Sequence, residues 1–196
     1  IISMIIGGRL GYVLFYNLGY YIDHPLDIIK LWEGGMSFHG ALIGIIFSIY
    51  IFSTKKKIST IFLLDVISCV SPIGIFFGRI ANFINSELVG KATDISWGVV
   101  FPKIDFISRH PSQIYEALLE GLLLFLILNL ILLKKNYIIG TCSSMFLMLY
   151  GSFRIFCEFF REPDSQIGYI LNLFSMGTLL SIIMIIAGMI MFWKRI

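Results

Sequence analysis

The sequence predicts an all-α protein, a polytopic bundle of six membrane-spanning helices. Two observations carry this expectation. Apolar residues make up 58% of the 196 residues and charged residues only 14%, with a mean hydropathy of +0.90. Soluble domains carry about 25% charged residues, so lipid must cover much of the outside of this chain. The apolar residues also fall into six runs, and lysine-rich clusters follow every second one.

The runs are 3–18, 38–52, 61–84, 114–133, 138–156 and 171–192. The first two are short for a span of roughly 20 residues. Lys55, Lys56 and Lys57 follow the second, Lys134 and Lys135 the fourth, and Lys194 and Arg195 the sixth. Two crossings separate each cluster from the next, so all three share a side, which the positive-inside rule makes cytoplasmic. The loops at 23–33, 87–109 and 159–167 then face the other way. Arg109-His110-Pro111-Ser112-Gln113 reads as the start of the fourth helix, and Pro163 as a stop after the fifth. Gly7 and Gly11, Gly40 and Gly44, and Gly74 and Gly78 repeat at four-residue spacing, the pattern that lets spanning helices approach closely. No internal repeat and no long extramembrane stretch is visible, so residues 1–196 read as a single integral membrane domain. The chain opens at Ile1 within an apolar run and shows no signal peptide; the expectation is an N-terminally incomplete chain.

A net charge of +3 is too mild to suggest nucleic acid as a partner, and no nucleic-acid motif is present. Cys69, Cys142 and Cys157 show no metal spacing, and cysteines in apolar runs behave as small hydrophobes. The three histidines are far apart. No metal and no cofactor is expected.

Ionisable residues within spanning segments are expensive, about 2.5–3.5 kcal/mol each on insertion scales, and are candidates for function. Arg9, Asp65, Arg79, Arg154 and Glu158 are such residues. Arg79, Asn82 and Asn85 share a helix face. This stripe reads either as a phosphate cradle, because guanidinium offers a planar fork of donors, or as a snorkelling arginine with asparagines capping the helix end. Arg154 and Glu158, spaced i,i+4, read either as an internal ion pair or as an arginine held ready for an anion. His39, at the mouth of the second segment, is either a structural hydrogen-bonder or a base titrating near neutral pH.

Five motifs occur in order: Gly8-Arg9-Leu10-Gly11-Tyr12, Gly34-Gly35-Met36-Ser37-Phe38-His39-Gly40, Gly78-Arg79 through Asn82, Asn85 and Glu87 to Gly90, Arg109 through Gln113 and Tyr115 to Glu116, and Arg154 through Glu158 to Asp164. Together they resemble bacterial prolipoprotein diacylglyceryl transferases over nearly the whole chain. The resemblance implies a seven-helix family fold in the bacterial inner membrane. It implies transfer of a diacylglyceryl group from phosphatidylglycerol to the lipobox cysteine thiol in a prolipoprotein signal region, with membrane lipids as the surroundings. The product is a thioether, and glycerol phosphate leaves. It also implies a substrate-binding set of Arg79, Asn82, Asn85, Glu87 and Gly90 and a catalytic set of His39, Tyr150, Arg154 and Glu158. Two positions depart from the family pattern: Ser86, where glycine is common, and Val89, where tryptophan is common.

The chemistry is coherent without a protein nucleophile or cofactor. Thiolate is the nucleophile, and fixed arginines in a water-poor site stabilise the charge developing on the leaving phosphate. Whether His39 or an arginine-linked network takes the thiol proton stays open at this level. The competing classes are a transporter or channel with Arg79 and Arg154 along an anion path, and a non-catalytic membrane scaffold.

Overall fold

A computed structural model describes residues 1–162, 169–170 and 174–194; side chains are not described for Phe38, His39, Tyr169, Ile170, Phe174, Ser175 and Met176. The chain forms two compact units, Ile1–Leu63 and Leu64–Ile196. All six apolar runs contain a helix: α1 (Ile2–Tyr16), α3 (Phe38–Lys56), α4 (Thr60–Asn85), a composite helix Ser112–Leu132, α7 (Thr141–Glu158) and α8 (Met176–Lys194). The composite helix consists of α5 (Ser112–Glu116), a π-helical stretch Ala117–Leu123 and α6 (Leu124–Leu132). A short α2 (Leu18–Asp23) follows α1. Among the described residues, Thr60–Asn85, Ser112–Leu132 and Gly177–Lys194 are long and apolar enough to cross a membrane, and Ile2–Tyr16 is apolar but shorter.

In the first unit, α1 and α3 meet through their glycines. A Cβ on Gly11 would stand 2.7 Å from the Gly40 Cα, and one on Gly7 would collide with the Gly40 carbonyl. Glycine is therefore required by the close approach itself. Ser37 caps α3, its Oγ accepting from the Gly40 amide at 3.3 Å, while its own amide donates to the Gly8 carbonyl at 2.8 Å. Arg9, 3% exposed, is no anion site. Its Nε, Nη1 and Nη2 donate to the carbonyls of Ile28, Gly34, Gly35, Asp27 and Lys30, which uses its full set of five N–H groups, and the guanidinium lies 5.3 Å from the Tyr21 ring. Arg9 thus clips the 27–35 loop onto α1.

In the second unit the core is Cys69, Leu124, Leu128 and Cys142. The Cys69 and Cys142 thiols point at the Leu128 carbonyl, 3.8 and 3.6 Å away, as small buried hydrophobes do. The Asn129 amide donates to the Cys69 carbonyl at 3.1 Å, in the turn before Pro72, where proline interrupts the helical ladder. Asp65 is fully buried and accepts from the Gly140 amide at 2.5 Å, the Ser143 amide and hydroxyl at 2.6 Å each, and the Tyr137 hydroxyl. It satisfies orphan donors at the N-terminus of α7 and complements that helix dipole, which is a structural task.

Gly74 and Gly78 differ from the other glycine pairs. Among the described residues, a Cβ on either would meet no atom within 4 Å, so this repeat marks no close helix contact there. The small-residue packing sits instead between α7 and α8, where Gly151 lies against the Ser181 carbonyl and Gly188 against the Ser144 carbonyl. Helix α7 ends at Glu158, ahead of Pro163, because Arg161 leaves to pair with Gly90. Pro163, Asp164, the start of the sixth run at 171–173 and Arg195 lie outside the described residues. Two short antiparallel ladders were not foreshadowed: β1 (Val99–Val100) with β2 (Ser108–Arg109), and β3 (Tyr169–Ile170) with β4 (Phe174–Ser175).

Candidate functional site

The composite helix turns Gln113, Glu116 and Glu120 inward, at i, i+3 and i+7 on one stripe, all fully buried. The π-helical stretch begins directly after Glu116, and such stretches concentrate at functional sites. Gly121, beside Glu120, lets α4 come close: a Cβ there would be 2.7 Å from the Phe76 Cβ. Phe76 is one helical turn from Arg79, so this contact brings the arginine to the carboxylates.

Arg79 Nε stands 2.8 Å from Glu116 Oε2, and its Nη2 is 3.3 Å from Glu120 Oε2. Arg154 Nη1 donates to Glu116 Oε1 at 2.8 Å and lies 3.8 Å from Glu120 Oε1, while its Nη2 is 2.9 Å from Glu158 Oε2. Arg161 Nη1 is 3.6 Å from Glu116 Oε1. Among the described residues, Glu116 is the carboxylate shared by all three arginines. Buried charges persist only when paired, and this network pairs them. Arg79 remains 16% exposed and Arg154 11%, and Nη1 of Arg79 enters none of these ion pairs.

The structure therefore joins Arg79, Arg154 and Glu158 in one cluster. Tyr150, one turn before Arg154, stacks on Phe146 with 5.6 Å between ring centroids. Asn82 turns to the end of its own helix, where its Nδ2 donates to Glu87 Oε2 at 2.9 Å, and Asn85 is exposed on the last turn. The expected three-residue stripe is thus divided, with only Arg79 directed at the composite helix. Gly90 lies between backbones: the Arg109 guanidinium donates to its carbonyl at 3.0 Å, and a Cβ would stand 2.8 Å from the Phe160 carbonyl. His39 opens the first turn of α3 in the other unit, and its side chain lies outside the described atoms.

Sequence reasoning missed Glu116, Glu120, Gln113 and Arg161 as members of the cluster. The signal was present, since three polar residues at i, i+3 and i+7 in an otherwise apolar helix must share a face. Gly177 was missed as well: a Cβ on it would lie 3.2 Å from Glu158 Oε2 and 3.3 Å from Arg154 Nη2.

Segment 86–111 is cross-linked within itself, to Glu162 and to the start of the composite helix. Arg109 Nη2 pairs with Asp105 Oδ2 at 2.6 Å and its Nη1 with Glu162 Oε2 at 2.7 Å. The hydrogen bond from Arg109 holds the Asp105 carboxyl below the usual carboxylate range. Gln113 Nε2 donates to the Glu87 carbonyl at 2.7 Å, and the Trp97 indole donates to the Tyr115 hydroxyl at 2.8 Å.

Fold and site together define a helical membrane protein with a buried charged network between its helices. A family model for prolipoprotein diacylglyceryl transferase matches residues 1–194. Three relatives named phosphatidylglycerol–prolipoprotein diacylglyceryl transferase are similar over nearly the whole chain. The Ehrlichia canis (strain Jake) protein is 55% identical over 192 residues, 96% of this chain and 74% of its own. The Rickettsia bellii (strain OSU 85-389) protein is 52% identical over 196 residues, covering 99% and 74%. The Methylocella silvestris protein is 50% identical over 192 residues, covering 96% and 70%. The chain belongs to the prolipoprotein diacylglyceryl transferase family and is a transferase.

Proposed function

We propose that Arg79 is the principal phosphate-binding residue of a phosphatidylglycerol–prolipoprotein diacylglyceryl transfer reaction, the first step of lipoprotein maturation. The observation that carries this is its geometry. Glu116 and Glu120 hold one edge of the guanidinium, while Nη1 stays outside the ion pairs and the side chain is partly exposed. A rigid, pre-aimed donor costs no reorganisation as phosphate charge develops. The lipobox cysteine attacks the diacylglyceryl carbon as thiolate. The carbon–sulfur bond forms as the carbon–oxygen bond to phosphate breaks, and glycerol phosphate departs. Arg154, held between Glu116 and Glu158, supplies the second fixed charge, with Tyr150 one turn away. Asn82, Asn85, Glu87 and Gly90 shape the headgroup side. His39 is proposed from its motif alone as the residue that accepts the thiol proton. The chain acts as one domain with six crossings in a bacterial inner membrane, and its lysine clusters face the cytoplasm.

The test is transfer of labelled lipid from phosphatidylglycerol to a lipobox peptide. Lysine keeps the charge of Arg79 but loses the fork. Loss of one charge-assisted hydrogen bond costs roughly 1.5–3 kcal/mol, or roughly ten- to hundredfold. Arg79→Lys should lose that much transfer with normal membrane abundance, and Arg79→Ala more. Full transfer by Arg79→Lys would remove Arg79 from the phosphate site.

A further inference from the structure

At the opposite end of the composite helix lies a cavity of about 270 Å³, lined by none of the residues assigned to the transfer reaction. Fifteen residues separate Glu116 from Ile131, roughly 22 Å at 1.5 Å per residue. Ile131, Ile138, Met145 and Phe192 form its apolar wall, and the exposed Lys134 and Asn136 form its polar rim. Two helices of spanning length, Ser112–Leu132 and Gly177–Lys194, end here. The cavity therefore opens level with one face of the bilayer. Tyr137, which also lines it, is tied by its hydroxyl to the buried Asp65, so the turn forming one wall is pinned.

We infer that this cavity is a binding site for an anionic phospholipid of the leaflet that the lysine-rich helix ends face, separate from the lipid consumed in the reaction. An apolar hollow at the bilayer surface takes up an acyl chain, because hydrocarbon is the solvent on its open side. Charge selects the headgroup. None of the lining residues is acidic, Lys134 stands on the rim, Lys135 is its neighbour in sequence, and Lys194 closes α8 two residues beyond Phe192. Basic side chains at this depth attract anionic headgroups. The inference rests on the membrane character of the chain and not on the roles assigned to Arg79 or His39.

Phosphatidylserine and phosphatidylcholine carrying the same photoactivatable acyl chain test it, added to the delipidated full chain, with cross-links mapped by peptide mass. Phosphatidylserine should label the 131–145 segment and the end of α8 about fivefold more than phosphatidylcholine, the preference one basic side chain confers, about 1 kcal/mol. Lys134→Ala and Lys134→Gln, changes at an exposed position, should each erase the preference. Met145→Trp should fill the hollow and remove the labelling. Arg79→Ala and excess inorganic phosphate should leave it in place. Equal labelling by both lipids, labelling elsewhere only, or loss of the signal in Arg79→Ala would overturn the proposal. Full competition by inorganic phosphate would reduce the site to a surface anion contact and overturn it as well.

Discussion

Three charged residues of the apolar helices share one sequence signature and have three different fates. Arg9 spends all five donors on loop carbonyls, Asp65 accepts from the start of α7, and Arg79 alone is held by carboxylates with a donor to spare. The cost of burial is the same kind in each case, so hydropathy cannot separate them; only the identity of the partner does. Ser86 shows a residue-scale departure with a visible reason. The Glu87 amide donates to the Asn82 carbonyl at 2.8 Å and the Ser86 amide to the Phe83 carbonyl at 3.2 Å, the two bonds of a Schellman ending, which puts Ser86 at φ +62°. A left-handed conformation costs a residue with a Cβ roughly 1–2 kcal/mol. Ser86→Gly should therefore raise stability by about 1 kcal/mol, read as a higher unfolding midpoint in detergent with transfer retained. An unchanged or lower midpoint would mean that the serine side chain compensates for the strain.

At the scale of elements, the small-residue repeats were legible and their meaning was not. Gly7, Gly11, Gly40 and Gly44 make a close helix pair, while a Cβ on Gly74 or Gly78, with the same spacing, would meet no described atom of another element within 4 Å. The decisive glycine, Gly121, belongs to none of these glycine pairs. Gly121→Val should push α4 from the composite helix at Phe76 and draw Arg79 away from Glu116. Transfer should fall at least tenfold while the helical content of membrane extracts holds, and normal transfer would show that this contact does not set the arginine. The ladders of segment 86–111 give a pH prediction. Asp105 titrates below its ordinary value because Arg109 bonds it. A depressed carboxylate adds stability above its unfolded pKa, about 3.9, and loses it as pH falls through the lower folded value. Amide protection at Ile107, which donates to Asp105 Oδ1 at 3.2 Å, should hold from pH 7 to about 4 and collapse below. Loss beginning near pH 6 would show that the Asp105 carboxylate does not hold this segment.

For the whole molecule, the lysine clusters predict a topology that chemical labelling checks. Cysteines placed at Lys56 and Lys91 should react with an impermeant thiol reagent from opposite sides of the membrane. Labelling of both from one side would break the six-crossing arrangement. The sequence by itself determined that this is a helical membrane protein, because composition and run length report the solvent directly. Its ordered motifs also determined the family. The tertiary structure alone decided which polar residues meet. Arg79, Glu116 and Arg154 are 37 and 38 residues apart in succession, and their contacts depend on a π-helical stretch and one glycine contact that leave no periodic trace. Hydrophobic patterning records which face a residue shares with its helical neighbours. It holds no record of the partner across the gap, and for a buried charge that partner separates a clip from a cap and a cap from a site.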